Sequence, residues 1–85
     1  MYCVYVLQRK DTEQFYYGYT TNLEKRCAEH FHQGPWELIY YEAYKSEHDA
    51  RTREQHLKHY GQAVKALKSR LQHSMVAAGC GATGQ

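Results

Sequence analysis

Two strand-like runs separated by a polar break open the chain. Residues 2–8 are β-branched, aromatic or apolar at almost every position, a composition typical of a strand covered on both faces. A polar stretch at 9–14 precedes a second run at 15–19. Two such runs joined by a short polar loop predict an antiparallel hairpin. Gly18 interrupts the second run and indicates either a bulge or a place where backbone or ligand comes close.

The period of two predicts which residues of the first strand share a face. Side chains alternate between the two faces of a strand, so the odd-numbered residues 3 to 7 lie on one face and the even-numbered residues 2 to 6 on the other.

A helix is predicted after the hairpin. Thr21, with Glu24 three residues later, has the pattern of a capping box, so we expect the helix to begin near Asn22. The Gly-Pro pair at 34–35 should end it. Its inner stripe should consist of three apolar residues spaced four apart, namely Leu23, Cys27 and Phe31.

Residues 36–44 have the composition of a third strand. Glu42 interrupts one of its two alternating sets and Glu37 the other, so neither face is uniformly apolar. A strand packed on one side by a helix fits this pattern. The set that Glu42 interrupts contains Trp36, Leu38, Tyr40 and Tyr44.

Two further helices follow this strand. Ser46, with Asp49 three residues on, predicts the start of a helix that runs to about Tyr60, and Gly61 is well placed as its C-terminal cap. Its inner stripe should consist of Ala50, Leu57 and Tyr60. A third, shorter helix is indicated by Val64, Leu67 and Leu71.

These elements predict an α+β fold in the order β-β-α-β-α-α, a small three-stranded antiparallel sheet flanked by helices. We expect one domain over residues 1–72 and a disordered tail over 73–85, which is rich in Ser, Ala, Gly and Thr.

Cysteine content and hydropathy indicate a cytoplasmic protein. The three cysteines are odd in number and widely spaced, which argues against a disulfide scaffold and for a reducing compartment. No run is long enough to span a bilayer, and the start of the chain lacks the pattern of a signal peptide.

Positive charge is concentrated in the second half of the chain. The net charge is only +2, but residues 45–70 carry seven basic residues against three acidic ones. This half either presents a mildly positive surface to phosphates or simply has solvated helix faces.

Glu54 is informative on physical grounds. It falls four residues after Ala50 and three before Leu57, on the helix face meant for the core. A carboxylate there is costly unless a cation, a metal or hydrogen-bond donors meet it. Glu54 is therefore either a partner in an intramolecular salt bridge, for instance with an arginine of another helix, or a metal ligand.

Arg26 and His30 form a second candidate pair, one helical turn apart. Arginine clamps phosphate oxygens, and histidine exchanges a proton near neutral pH, so together they suit a phosphodiester site. The alternative is that Arg26 pairs with Glu29 or Glu54 and that His30 is a solvated edge residue.

Two triplets and the residues after them resemble one nuclease family. Cys3-Val4-Tyr5 and Tyr16-Tyr17-Gly18 resemble the first and second motifs of the GIY-YIG domain. The resemblance covers residues 3 to about 60, and the Arg-x-Arg-Glu sequence at 51–54 is most similar to the short stand-alone, UPF0213-like branch. Its functional positions fall in order on Tyr5, Tyr16, Arg26, His30 and Glu54.

Some residues depart from the family pattern. Cys3, Val4 and Tyr17 replace the Gly and Ile residues of the two motifs. Many family members have a late asparagine in the site, whereas Asn22 is the only asparagine here.

The resemblance implies metal-dependent hydrolysis of phosphodiester bonds in DNA. Glu54 would hold one Mg²⁺ or Mn²⁺ ion, and Arg26 would stabilise the transition state. Either Tyr5 or His30 would activate the attacking water, with Tyr16 positioning water or phosphate. A tyrosine base would need a pKa well below about 10.

The implied partners are DNA, with branched and damaged forms among the candidates, as in DNA repair, and either a protein partner or a second copy of the chain. Lys58 and Lys65 are candidate phosphate contacts.

Two other interpretations stay open. One is a catalytically weak or inactive nucleic-acid-binding module of the same fold. The other is a zinc site built from two helices, with the candidate ligands Cys27, His30, His56 and His59.

Overall fold

The computed structural model describes residues 1–75 and confirms the predicted α+β architecture. Most of the predicted tail, from residue 76 onward, lies outside the described residues. Within residues 1–75 no helix is long and apolar enough to cross a membrane. The elements are β1 (Tyr2–Arg9), β2 (Phe15–Thr20), α1 (Leu23–Gln33), β3 (Trp36–Tyr44), α2 (Glu47–His59) and α3 (Gly61–Arg70).

Strand β1 is the centre of the sheet. The strand order is β2-β1-β3, and β1 pairs antiparallel with both neighbours, so the predicted hairpin is confirmed. Tyr5 in the middle of β1 lies opposite Gly18 of β2 and Tyr41 of β3. Paired residues direct their side chains to the same face of a sheet, and this register brings the two triplets together.

Helices cover β1 on both faces, as its composition predicted. On one face, helix α1 contributes to a core of Tyr5, Leu7 and Cys27. On the other, α2 and α3 contribute to a larger core of Val4, Val6, Ala50, Leu57, Leu67 and Leu71. The odd-numbered side chains of β1 therefore face α1, and the even-numbered ones face α2 and α3.

A bulge in β3 makes the predicted alternation of that strand wrong. Val6 pairs with Tyr40 but Leu7 pairs with Leu38, so Ile39 is an extra residue. Beyond the bulge the phase is reversed: Leu38 packs in the core beneath α1, whereas Ile39 and Tyr40 pack against the core beneath α2. Helices pack on both faces of the sheet rather than on one side of β3.

Helix α1 begins close to the predicted residue but is capped differently. The N-cap is Asn22, whose side chain accepts a hydrogen bond from the Lys25 amide at 3.1 Å. The predicted capping box of Thr21 and Glu24 is therefore wrong, because Asn22 supplies the capping oxygen one residue later.

Helix α2 is capped as predicted at its start and differently at its end. The Ser46 hydroxyl accepts a hydrogen bond from the Asp49 amide at 3.4 Å. Tyr60 is the C-terminal cap, and Gly61 is the first residue of α3 rather than a cap of α2. A single residue, Tyr60, therefore connects α2 to α3. The connection would be longer if Gly61 capped α2.

Two predicted core positions are exposed. Phe31 is 48% exposed and Tyr60 is 61% exposed. In α1 the buried residue after Cys27 is His30, three residues on, rather than Phe31, four residues on. The inner stripe of α1 is thus rotated by one position, and the imidazole lies against the sheet.

Helix α2 is tied to β3 by a largely buried ion pair. The Arg53 Nε donates to both carboxylate oxygens of Glu42, at 3.0 and 3.1 Å, and the hydroxyls of Tyr40 and Tyr44 donate to the same carboxylate. Burial raises the pKa of Glu42, but the hydrogen bonds from Arg53, Tyr44 and Tyr40 outweigh it, and the net pKa lies below its ordinary value.

Glu42→Gln should lower the free energy of unfolding at pH 7 by about 1–3 kcal/mol, because it weakens hydrogen bonds to a charged group. The native pKa of Glu42 lies below its unfolded value of about 4.3, so this contribution is present above that pH and is lost as pH falls through the native pKa. Urea unfolding of both proteins at pH 7 and pH 3 measures the difference, which should shrink at pH 3.

The control is Glu29→Gln, in an exposed ion pair with Arg26 at 3.7 Å, where the change should stay below about 0.5 kcal/mol. A Glu42→Gln effect equal to that of the control at pH 7 would contradict the assignment.

Candidate active site

Three rings from three different elements meet beside the sheet. Tyr5 lies on β1, Tyr16 on β2 and His30 on α1. The Tyr5 hydroxyl oxygen lies 3.2 Å from the His30 Nε2. The Tyr16 ring centroid is 4.6 Å from that of His30 and 6.1 Å from that of Tyr5. The alternative of His30 as a solvated edge residue is wrong, because it is buried.

Gly18 makes room for the Tyr5 ring. A Cβ atom at Gly18 would lie 2.4 Å from both the Cζ and the hydroxyl oxygen of Tyr5, far inside contact distance. The β1–β2 pairing is regular at Gly18, and the group that approaches it is the Tyr5 side chain of the first triplet rather than backbone or ligand. Tyr5 and Gly18 lie directly opposite in the register, which explains physically why the triplets occur together.

Trp36, which the sequence analysis treated only as a strand residue, is the fourth ring of the cluster. Its centroid lies 6.2 Å from that of Tyr16 and 6.4 Å from that of His30, both edge-on. The Arg9 guanidinium lies over the indole at 5.4 Å. Trp36 pairs with Arg9 at the end of β1, and this pairing would have placed it beside the rings. The bulge hides the pairing from the sequence, because it shifts the register of β3 by one residue.

Burial decides the protonation of the two hydrogen-bonded groups. It raises the pKa of Tyr5, and the neighbouring Tyr16 adds to the rise against an opposing effect of Arg26. Burial also lowers the pKa of His30, and the positive charge of Arg26 lowers it further, against an opposing effect of Glu29. At neutral pH, Tyr5 is a phenol and His30 a neutral imidazole. In the tautomer that carries its proton on Nδ1, the Tyr5 hydroxyl donates to the His30 Nε2.

Arg26 lies one turn before His30 on the solvent side of α1. Its side chain is 48% exposed and pairs with Glu29 at 3.7 Å, one of the alternatives left open above. An exposed pair at this distance holds the guanidinium weakly. Arg26 lines an open polar groove of about 450 Å³, together with Thr20, Thr21, Asn22, Lys25 and Glu29.

Glu54 lies on α2, on the opposite face of the sheet from α1. Its side chain is 15% exposed, as expected for the core-facing side of the helix, and its Oε2 lies 3.2 Å from the Lys58 Nζ. The salt-bridge alternative is thus realised, with a lysine of the same helix rather than an arginine of another. In the described part of the chain, the contacts of Glu54 do not include a ring of the cluster.

The donor chemistry fits one magnesium or manganese ion and does not fit zinc. Residues 1–75 contain no group of three or more His, Cys, Asp or Glu side chains able to hold a metal, so the zinc interpretation is wrong there. Cys27 is packed in the core beneath α1, and His30 is engaged by Tyr5. Mg²⁺ is commonly held by one or two carboxylates, with water and substrate phosphate completing its shell, and Glu54 offers such a carboxylate.

The two candidate phosphate contacts differ in their surroundings. Lys58 is engaged by Glu54, whereas Lys65 lies on the exposed side of α3. Their contact with nucleic acid stays a prediction.

Comparison with known proteins identifies the family of the chain. The family model for the GIY-YIG catalytic domain matches residues 1–68. The chain belongs to the GIY-YIG family. A UPF0213 protein of Clostridium perfringens is 38% identical over 64 residues, which span 65% of this chain and 68% of that protein.

The solved structure of a UPF0213 protein supports the fold. The solution NMR structure of a UPF0213 protein from Bacillus halodurans is 28% identical, covers 85% of this chain and 86% of its own, and has a TM-score of 0.58. The predicted UPF0213-like branch of the GIY-YIG family is thereby confirmed, and the chain has a nuclease-type fold.

Gly18→Ala should destabilise the GIY-YIG domain by about 1–3 kcal/mol, because the added methyl group overpacks the Tyr5 ring. Denaturant unfolding gives the stability, and the ¹H shifts of the Tyr5 ring report its displacement. Gly61→Ala is the matched control: its Cβ would meet nothing within 4 Å, and alanine suits a helix better than glycine. Equal stability changes for both variants would contradict this account of Gly18.

Proposed function

We propose that this protein is a metal-dependent endonuclease that hydrolyses phosphodiester bonds in DNA. The observation that carries the proposal is the 3.2 Å contact between the Tyr5 hydroxyl and the His30 Nε2, beside Tyr16, in a chain of the GIY-YIG family. A buried phenol bonded to a neutral imidazole is an arrangement that can remove a proton from water near neutral pH.

The geometry favours a relay in which Tyr5 and His30 act together. The Nε2 of His30 is already occupied by the Tyr5 hydroxyl, and the raised pKa of Tyr5 makes a phenolate costly. Water therefore gives its proton to the Tyr5 oxygen while Tyr5 passes its own proton to Nε2. The water oxygen bonds to phosphorus, the bond to the leaving oxygen breaks, and that oxygen takes a proton from solvent. His30 ends the step as an imidazolium.

Arg26 and Tyr16 act on the phosphate in this proposal. Arg26 lies in the open polar groove next to the rings, and its weak pairing with Glu29 leaves the guanidinium able to turn toward phosphate oxygens. Its permanent charge stabilises the negative charge that develops on those oxygens. Tyr16 is partly exposed above His30, in a position to orient water or phosphate.

Glu54 is the proposed holder of one Mg²⁺ or Mn²⁺ ion. Such an ion, when bound, neutralises charge on the non-bridging and leaving oxygens. Lys58 pairs with one carboxylate oxygen of Glu54, and the other oxygen would hold the ion.

A nucleic-acid-binding module without turnover is the second candidate. The observation that favours it is the place of Glu54 on α2, across the sheet from the rings and paired with Lys58. Such a module would bind DNA without needing a metal, and the same experiment distinguishes the two functions.

Glu54→Ala and Arg26→Ala should each lower the cleavage rate by about 10²–10³, since each removes transition-state charge stabilisation. The assay uses labelled duplex, single-stranded, flapped and four-way DNA with Mg²⁺, Mn²⁺ or chelator. Arg51→Ala is the control: this exposed arginine of α2 pairs with Glu47 and should retain the wild-type rate.

Products that need metal and disappear in both variants support the nuclease. If no protein gives products, and if DNA binding needs no metal and is unchanged in Glu54→Ala, the binding module is the function and the nuclease is refuted.

Cleavage should fall as pH decreases through the lowered pKa of His30, at a pH below the ordinary histidine value of about 6.5, because protonated His30 cannot accept the relayed proton. As pH falls, His30 is protonated in the unfolded chain before it is protonated in the folded protein, because folding lowers its pKa. The free energy of unfolding therefore also declines below about pH 6.5. Rates between pH 5 and 8, compared with an NMR titration of His30, test this.

His30→Gln should lose the acid limb together with about 10²–10⁴ of the rate. A His30 pKa above the ordinary value, or an acid limb that persists in His30→Gln, would contradict the relay.

A further inference from the structure

Helix α2 presents two different flanks to the sheet. Ala50 and Leu57 are its fully buried residues and define the line that faces β1. Successive residues of a helix are rotated by about 100°. Arg53 therefore lies about 50° to one side of that line and Glu54 about 50° to the other.

The Arg53 flank is tied to β3. Its guanidinium contacts Glu42 through Nε at 3.0 and 3.1 Å, and both side chains are largely covered. The same carboxylate accepts hydrogen bonds from Tyr40 at 2.7 Å and Tyr44 at 2.5 Å, so its direction is fixed from two sides. Glu42 is thus a rigid anchor on the strand for one arginine of the helix.

The Glu54 flank faces β2. Earlier on this flank, Glu47 accepts a hydrogen bond from the Tyr19 hydroxyl at 2.6 Å, and the Arg51 guanidinium lies 5.5 Å from the centre of the Tyr19 ring. Tyr19 belongs to β2, the strand that also carries Tyr16 and borders the ring cluster. These contacts are exposed, so they restrain the helix much less than the covered pair on the other flank.

We propose that Arg53 is a positioning residue: its ion pair with Glu42 fixes the rotation of α2 and thereby holds Glu54 on the flank toward β2. The role given to Glu54 rests on the proposed function, whereas the fixed rotation rests on the contacts alone. Arg53 and Glu54 are adjacent on one rigid helix, so a rotation of α2 that moves one of them must move the other. The coupling between them is therefore direct.

Small rotations are enough to matter. A side-chain tip about 5–6 Å from the helix axis moves by roughly 2 Å when the helix turns by 20°. A carboxylate displaced by that distance would no longer hold an ion where the substrate phosphate can complete its shell. The ion pair with Glu42 thus acts on the metal site without touching it, as supporting partners of metal ligands generally do.

The test compares Arg53→Leu and Arg53→Lys with Arg51→Leu, a matched arginine of the same helix whose side chain is 66% exposed. Mn²⁺ affinity is measured by electron paramagnetic resonance of the free ion, in the presence of a non-cleavable phosphorothioate duplex and after subtraction of the Mn²⁺ bound by the duplex alone. The temperature is one at which circular dichroism shows each protein folded. Arg53→Leu should weaken Mn²⁺ binding about 10-fold, within the range found for supporting partners of metal ligands. Arg51→Leu should stay within about twofold of wild type, because its contacts are exposed.

Arg53→Lys keeps the charge but lacks the guanidinium plane, so its Mn²⁺ affinity should fall between those of wild type and Arg53→Leu. This variant also serves if Arg53→Leu does not fold. Wild-type Mn²⁺ affinity in a folded Arg53 variant would overturn the proposal.

A second readout needs no metal. Nuclear Overhauser contacts between the Tyr19 ring and the Glu47 side chain should weaken in the folded Arg53 variants, and their persistence at full strength would also overturn the fixed rotation. Glu54→Gln separates the two ideas. Unchanged Mn²⁺ affinity in Glu54→Gln would refute the metal role of Glu54 in the proposed function, while the Overhauser contacts still decide whether Arg53 fixes the helix.

Discussion

The burial of β1 on both faces is the constraint on which the rest of the structure depends. Its side chains alternate between two cores, so one strand fixes the position of α1 on one side and of α2 and α3 on the other. A shift of β1 by one residue would exchange Tyr5 with Val4 or Val6 and remove the phenol from His30. The register of one central strand therefore determines which groups meet as candidate catalytic residues.

Desolvation gives this meeting its chemical character. The same burial that stabilises the core opposes a phenolate at Tyr5 and an imidazolium at His30, so both partners of their shared hydrogen bond are uncharged at neutral pH. The positive charge of Arg26 lowers the pKa of both groups. It therefore opposes the effect of burial at Tyr5 and adds to the effect of burial at His30. The exposed arginine thus favours proton removal at Tyr5 and keeps His30 ready to accept.

Periodicity in the sequence predicted the elements, the hairpin and the two faces of β1, because strands and helices bury side chains at fixed spacings. It could not choose between His30 and Phe31 as the inner residue of α1, since i+3 and i+4 are equally compatible with a helical stripe. Periodicity also could not predict the bulge at Ile39, because the extra residue does not change the strand-like composition of β3. The bulge nevertheless reverses which residues of β3 face each side of the sheet. Trp36 joined the ring cluster as a consequence.

Glu54 shows a different limit of sequence reasoning. Its spacing from Ala50 and Leu57 correctly placed a carboxylate on the covered side of α2, but spacing within one helix does not say which strand each flank meets. That depends on long-range pairs such as Arg53 with Glu42, which join residues on different elements. The catalytic proposal requires groups from both faces of the sheet to act on one phosphate, so β2 is where they must converge: it carries Tyr16 on the ring side and meets the Glu54 flank on the other.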